Sequence, residues 1–154
     1  NARAVLEQVK ANTKTLVAKH SGKDFFAKMI RSFAVTAEAQ LGAEIAFAEQ
    51  GVDEALALQA RAVEAAAVVD RTEPPMLASG PRHRLGAMQL KAKRFAAAEQ
   101  TFREGLALHP ASGWALNGLE KALSAQGKTA EATVVQREMA ISWVSADSQV
   151  RAVQ

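Results

Sequence analysis

Two stretches of this chain repeat each other at a spacing of 34 residues. The equivalent positions are Leu85 and Leu119, Lys93 and Gly127, and Ala98 and Ala132. A repeat of this length, made of paired amphipathic helices, is typical of a helical solenoid, because each pair buries its apolar face by stacking on the next. Solenoids rarely carry out chemistry and instead present a surface that holds another molecule. The repeat therefore predicts an all-α fold and a binding function.

Apolar residues recur at helical spacing along the chain, and no useful length of sequence alternates with the period of a β-strand. The predicted helices cover 2–19, 25 to about 50 as one helix or two, 53–69, 81–93, 94–108, 113–126 and 129–144. Residues 70–80 contain two prolines and a glycine, which interrupt a helix. We therefore expect about three antiparallel helix pairs, preceded by an N-terminal helix and interrupted by one loop.

Charge alternates along the chain in three blocks. Residues 1–35 carry seven basic and two acidic residues, a net charge of +5, whereas residues 36–78 carry two basic and eight acidic residues, or −6. Residues 79–154 carry ten basic and six acidic residues, or +4. The pattern fits solvated helix faces, ion pairs between layers or patches for partners. The basic cluster at 82–84 opens a helix, where cations oppose the dipole, so we expect it to pair with acidic residues of the central block.

The repeated segments are similar to the tetratricopeptide repeat. Residues 79–112 match its spacing at Arg82, Leu85, Gly86, Gln89, Ala98, Phe102 and Pro110, with Arg82 and Gln89 where the family has Trp and Tyr. Residues 113–146 match at Leu116, Leu119, Leu123, Gly127 and Ala132, with Gln136 where Phe is usual. Residues 36–69 match at fewer positions, with Gln50-Gly51 as the turn, Ala55 for Ala98 and Gln59 for Phe102. The chain resembles the C-terminal end of a bacterial tetratricopeptide-repeat protein.

This resemblance implies a right-handed solenoid of about three antiparallel helix pairs plus an N-terminal helix. The predicted segments are a basic N-terminal helical segment at 1–35, a degenerate helix pair with the Pro-rich loop at 36–78, repeats at 79–112 and 113–146, and a polar tail at 147–154. The function that the resemblance implies is a non-catalytic scaffold that binds a protein or peptide on its concave face.

In this family the first helix of each pair lines the concave face, so the resemblance gives the positions of a candidate peptide groove. These positions are His83, Ala87, Leu90, Lys91, Trp114, Asn117, Lys121 and Ser124. The last four share one helix face, where the Trp ring supplies contact area, the amide pairs with peptide backbone and the ammonium meets a carboxylate. We expect a partner that is acidic or presents a C-terminal carboxylate. The alternative is that Trp114 packs against the preceding helix and Lys121 is solvated.

Residues 1–35 leave two interpretations open. The lysines, together with Phe25, Phe26 and Met29, are compatible with contact to anionic lipid or nucleic acid. The phenylalanines fall at core spacing, however, and no aromatic residue lies among the lysines of 1–24, so we favour a degenerate repeat and expect neither nucleic acid nor membrane as a partner. The alternative function is homo-oligomerisation through the same apolar residues, or service as an accessory domain of a larger protein.

Composition and spacing argue against most catalytic and metal chemistry. The chain has no Cys, which excludes disulfides and thiolate catalysis. Its three histidines stand far apart, and no glycine-rich phosphate loop occurs, so we expect no enzyme activity, metal or cofactor. No apolar run approaches the roughly 20 residues of a membrane span. The chain begins at Asn1 rather than Met, so we expect a fragment or a processed form that is cytoplasmic, or periplasmic if a leader has been removed.

Overall fold

The computed structural model describes residues 1–69, 80–110 and 112–143, and the regular structure of these residues is entirely helical. The helices are α1 (Ala2–Lys19), α2 (Phe25–Ala48), α3 (Val52–Ala66), α4 (Pro81–Lys91), α5 (Phe95–Leu108), α6 (Gly113–Ala125) and α7 (Thr129–Trp143). The all-α prediction is therefore confirmed. The Pro-rich loop at 70–79 and the tail at 147–154 lie outside the described residues. No helix of the described part is long and apolar enough to cross a bilayer.

The chain divides into two compact units, Asn1–Leu85 and Gly86–Gln154, and the division falls inside α4. In the first unit α2 packs against both α1 and α3, and in the second α6 packs against both α5 and α7. Helix α2 is one continuous helix of 24 residues, which answers the question of one helix or two. The segment boundary predicted at residue 35 thus lies inside a helix, and the predicted segments do not coincide with the two units.

The same tight turn follows α2, α4 and α6. The chain adopts positive φ angles of 65° at Gln50, 58° at Lys93 and 74° at Gly127. In each turn the next amide donates to a carbonyl of the last helical turn, from Gly51 to Ala46 at 2.8 Å, from Arg94 to Gln89 at 2.8 Å and from Lys128 to Leu123 at 3.0 Å. This is the Schellman arrangement, in which a left-handed residue lets the chain satisfy the final carbonyls of a helix. The turns that join α2 to α3, α4 to α5 and α6 to α7 therefore share one geometry.

The first unit has a core of small side chains, which lets its helices approach closely. The buried alanines include Ala39, Ala43 and Ala46 of α2 and Ala55, Ala62 and Ala66 of α3. Polar groups within this core bond to backbone across helices: Ser32 Oγ donates to the carbonyl of Ala65 at 2.5 Å. At the start of α4, Arg84 pairs with Glu44 of α2 at 3.0 Å. This ion pair confirms the expectation that the basic cluster pairs with acidic residues of the central block.

The second unit is built around Phe102 of α5, the largest fully buried side chain among the described residues. Its core also contains Ala98, Ala115, Leu116, Leu119, Ala122, Leu123, Ala132 and Val135. The tip of the phenyl ring faces glycines of two different helices. A Cβ atom added at Gly86 of α4 would lie 2.5 Å from Cζ of Phe102, and one added at Gly118 of α6 would lie closer still. Helices α4 and α6 therefore meet at this ring.

A charged network ties α5 to the turn between α6 and α7. The Glu99 carboxylate accepts hydrogen bonds from Lys128 Nζ at 2.7 Å, from Gln126 Nε2 at 2.8 Å and from Arg103 at 2.9 Å. Arg103 also pairs with Glu131 of α7 at 2.8 Å. The hydrogen bonds from Lys128 and Gln126, followed by that from Arg103, lower the pKa of Glu99 from its usual 4.5 to about 2.

We expect Glu99→Gln to lower the free energy of unfolding at pH 7 by about 1–2 kcal/mol, because Lys128 and Arg103 lose a charged acceptor but are partly solvated. The folded-state pKa of Glu99 lies below its usual 4.5, so its contribution is present above that pH and is lost as the pH falls toward about 2. Urea denaturation at pH 7 and pH 3 measures this. Glu7→Gln, which removes the exposed Glu7–Lys10 pair, is the control and should change stability by less than about 0.5 kcal/mol. A deficit of Glu99→Gln that is equal at both pH values would contradict the assignment.

Candidate peptide-binding face

Helix α6 separates its residues into a buried side and an open side. The buried side holds Ala115, Leu116, Gly118, Leu119, Ala122 and Leu123. The open side carries Trp114, Asn117, Lys121 and Ser124, which the helical repeat places on one face. The Trp114 residue is 50% exposed, Asn117 is half-buried and Lys121 is exposed. Half of the surface of Trp114 is therefore open to solvent.

Ser124 is engaged within the helix. Its hydroxyl donates to Glu120 Oε1 at 2.9 Å, and the same oxygen accepts from Gln136 Nε2 of α7 at 3.0 Å. A ligand would compete with Glu120 for the hydroxyl. The part of the α6 face best suited to a ligand is thus its N-terminal part, from Trp114 through Asn117 to Lys121.

The positions predicted on α4 lie in the second unit, except for His83. Ala87 is half-buried, Lys91 is exposed, and Leu90 packs partly against the core of this unit. Ala87 follows Gly86, and Asn117 precedes Gly118, and these two glycines face the same Phe102 ring. The α4 and α6 parts of the predicted groove are therefore adjacent to one point of close helix contact. We name the set Ala87, Leu90, Lys91, Trp114, Asn117 and Lys121 the peptide face.

His83 belongs to the first unit and is half-buried near the start of α4. Burial, followed by the positive charge of the adjacent Arg84, lowers the pKa of His83 below its usual 6.5. The imidazole is consequently neutral at pH 7. A neutral, half-buried ring adds no positive charge that would attract an acidic ligand, so we leave His83 out of the peptide face.

The structure also exposes residues that the sequence placed in a core. Phe25 and Phe26, at the first turn of α2, are 56% and 62% exposed. Their helical spacing from Met29 and Phe33 led to the core interpretation, because spacing marks an apolar stripe without saying what covers it. The signal that could have separated them is their position directly after the Asp24 cap, in the first turn of the helix.

Among residues 1–69, 80–110 and 112–143, no group of three His, Cys, Asp or Glu side chains has the arrangement that could hold a metal ion. Comparison of the chain with models of protein families, with curated proteins and with solved structures gives no match in any of the three.

Proposed function

We propose that the protein is a non-catalytic scaffold that binds an extended peptide of a partner protein along the peptide face. The observation that carries this proposal is the half-exposed indole of Trp114, which shares one helix face with Asn117 and Lys121. A large aromatic ring left half in water retains apolar area that a ligand can cover, and tryptophan is among the residues most often dominant in binding interfaces.

The chemistry of this face favours a peptide with a negative charge. The Asn117 side chain offers both a donor and an acceptor, which is the combination that an extended backbone needs. Lys121 lies one helical turn further along the face, and Lys91 supplies a second exposed ammonium from α4. An acidic side chain or a C-terminal carboxylate placed between the two lysines would meet positive charge from both helices.

Stacked helix pairs would make such a face rigid. Three turns of one geometry and the Phe102 ring between α4 and α6 support a right-handed solenoid of helix pairs similar to bacterial tetratricopeptide-repeat proteins. In that arrangement the first helices of successive pairs lie side by side, so the peptide face spans more than one helix. Because the side chains project from helices that pack on one core, little ordering is required when a ligand binds.

We expect a phage-displayed library of random peptides to yield binders that carry an acidic residue or end in a free carboxylate. Trp114→Ala and Lys121→Glu should each weaken their binding at least about tenfold, because the first removes the apolar contact and the second reverses the charge. Fluorescence anisotropy of labelled peptides gives the affinities. In a Trp143→Phe background, the emission of Trp114 should shift to shorter wavelength on saturation, because the peptide removes the indole from water.

The matched control is Arg137→Glu, which reverses an exposed charge on α7, a helix that contributes no residue to the peptide face. Its affinity for the selected peptides should equal that of the wild type. Peptides that bind Trp114→Ala and Lys121→Glu as tightly as the wild type would place the binding site elsewhere on the chain. If saturating peptide left the emission spectrum of Trp114 unchanged, the binding site would also have to lie elsewhere on the chain.

A further inference from the structure

The end of the first unit where α1 turns into α2 concentrates apolar side chains on the surface. We call residues 19–28, the end of α1, the turn and the first turn of α2, the α1–α2 tip. It carries Phe25 and Phe26, 56% and 62% exposed. Leu16 lies in the last turn of α1 and is 39% exposed, and Val68 beyond α3 is 40% exposed. Half of the most exposed large apolar residues in the described part of the chain therefore lie at this end.

An open groove connects these elements. It has a volume of about 350 Å³ and is lined by Val17 of α1, by Lys28 and Val35 of α2, by Glu64 and Ala65 in the last turn of α3, and by Val68 just beyond that helix. Val68 thus lies at the same end of the unit as Lys28 and the tip. The exposed apolar surface at this end is shared by three elements and is not confined to two isolated side chains.

The tip is held in a defined conformation. Asp24 accepts a hydrogen bond from the backbone amide of Ala27 at 2.9 Å and so caps α2. Arg31 donates to the backbone carbonyl of His20 and to that of Gly22, the latter at 2.8 Å. Ala27, which follows the two phenylalanines in the chain, is buried and anchors the first turn of the helix. Hydrogen bonds therefore fix the turn that exposes the two phenyl rings to solvent.

Positive charge surrounds the exposed rings. Lys19, Lys23 and Lys28 are all exposed, and between residues 19 and 31 four basic residues stand against one acid, a net charge of +3. That acid is Asp24, whose carboxylate is already bonded to the helix amide. The tip consequently combines apolar side chains with a field that attracts anions.

The positive charge of the α1–α2 tip determines which class of partner can cover the phenyl rings. In a two-fold dimer centred on Phe25 and Phe26, the lysines of one copy would face the same lysines of the other, and like charges repel. A nucleic acid would use stacked aromatic faces, but adjacent residues of a helix point about 100° apart, and Val68 offers no ring to stack on. The surface of an anionic bilayer suits both the exposed apolar side chains and the positive charge, since phenyl rings enter the headgroup region and lysines contact lipid phosphates.

We propose that the protein docks peripherally on anionic lipid surfaces through the α1–α2 tip, with Phe25 and Phe26 inserted among the headgroups and Lys19, Lys23 and Lys28 in contact with lipid phosphates. The expectation that a membrane is not a partner rested on the core spacing of the phenylalanines and on the lack of aromatic residues among the lysines of 1–24. The structure exposes Phe25 and Phe26, which removes the first of these two grounds. This surface lies in the first unit and does not involve the peptide face, so either proposal can fail without the other.

The test is co-sedimentation of the full chain with vesicles of phosphatidylcholine alone and of phosphatidylcholine with one third phosphatidylglycerol. We expect binding to the anionic vesicles at low salt and little to the neutral ones. Binding should fall as salt rises, because the screening length shortens from about 10 Å at 0.1 M to about 3 Å at 1 M. Phe25→Ser/Phe26→Ser should weaken binding at least about tenfold, and Lys23→Gln/Lys28→Gln should weaken it about tenfold at low salt.

The control is Val134→Ser/Arg137→Gln, which removes a half-exposed apolar side chain and a charge from α7. It should bind vesicles as the wild type does, and circular dichroism should show that every variant keeps its helices. Equal binding by the wild type and Phe25→Ser/Phe26→Ser, or no binding to anionic vesicles at low salt, would overturn the proposal. The proposal would also be overturned if the protein formed a concentration-dependent dimer that Phe25→Ser/Phe26→Ser abolishes. Binding to single-stranded DNA in preference to vesicles, abolished by the same variant, would overturn it as well.

Discussion

Replacing Gly118 by alanine is expected to lower the free energy of unfolding by about 2–3 kcal/mol. An added Cβ would overlap the tip of the Phe102 ring, and that ring is fully buried and cannot swing away. Forcing extra volume into a packed core typically costs about 1–3 kcal/mol, and it costs more where the overlap is severe. The helix propensity of alanine offsets part of this, since alanine is favoured over glycine by about 1 kcal/mol in a helix interior. Urea denaturation followed by circular dichroism gives the difference.

Two comparisons isolate the overlap with the ring. At Gly42 of α2 an added Cβ would lie 3.3 Å from Cδ1 of Leu58, the flexible end of a side chain, so Gly42→Ala should change stability by less than about 1 kcal/mol. Combining Gly118→Ala with Phe102→Leu should cost less than the sum of the two single changes, because the smaller side chain vacates the space. Strictly additive effects would mean that the ring is not the source of the destabilisation.

The sequence did not reveal the close contact at Gly118. The repeat of 34 residues aligns Gly86 with Glu120, so α6 shows no glycine at the equivalent position. The tip of the Phe102 ring approaches both helices, and each helix requires a small residue at a different place in its repeat. A repeat pattern records positions that perform the same role within each pair, and it does not record contacts between one pair and the next.

Helix positions were largely predictable, because local signals specify them. Asp24 and Ser112 cap the helices that follow them, and Pro81 opens α4 as predicted. The main differences are at the ends: α4 ends at 91 because Lys93 takes the left-handed conformation of the turn. A lysine gives no warning of such a conformation, whereas the glycine at 127 does.

Some positions carry a polar residue where the tetratricopeptide pattern has an aromatic one, and the sequence did not specify what these polar side chains contact. Gln89 stands where the family has Tyr, and its side chain accepts a hydrogen bond from the buried Thr101 hydroxyl at 2.8 Å. Helical spacing alone separates the exposed Trp114 and Lys121 from the buried side of α6. Which residues of α4 lie beside them depends on packing across Phe102, and spacing within one helix carries no such information.

Gln59 of α3 provides the second large effect, because its amide is completely buried in the first unit. Its Nε2 donates to the carbonyl of Pro81 at 2.8 Å, and its Oε1 has no hydrogen-bond partner among the described residues. We expect Gln59→Glu to lower the free energy of unfolding at pH 7 by about 3–4 kcal/mol. The change keeps the shape of the side chain, but its ionised form would place a charge in a fully buried position, where one oxygen has no hydrogen-bond donor among the described residues.

The pH dependence of Gln59→Glu identifies the cause. Burial raises the pKa of the introduced carboxyl in the folded state, whereas in the unfolded chain it titrates near its usual value of about 4.3. Above that pH the unfolded state binds fewer protons than the folded state, so stability falls by about 1.4 kcal/mol per pH unit until the folded carboxyl ionises. Below about pH 4 the protonated carboxyl can donate to the Pro81 carbonyl, and the variant should approach wild-type stability.

Gln59→Met is the uncharged control for this prediction. It removes the bond to Pro81 and also the unpartnered Oε1, and helical geometry leaves that carbonyl with the amide of Leu85 as a donor. The loss should be less than about 1.5 kcal/mol and should not change with pH. Urea denaturation of both variants between pH 4 and pH 7 gives the comparison. If Gln59→Glu were equally destabilised at both ends of this range, lost packing would be the cause and not charge burial.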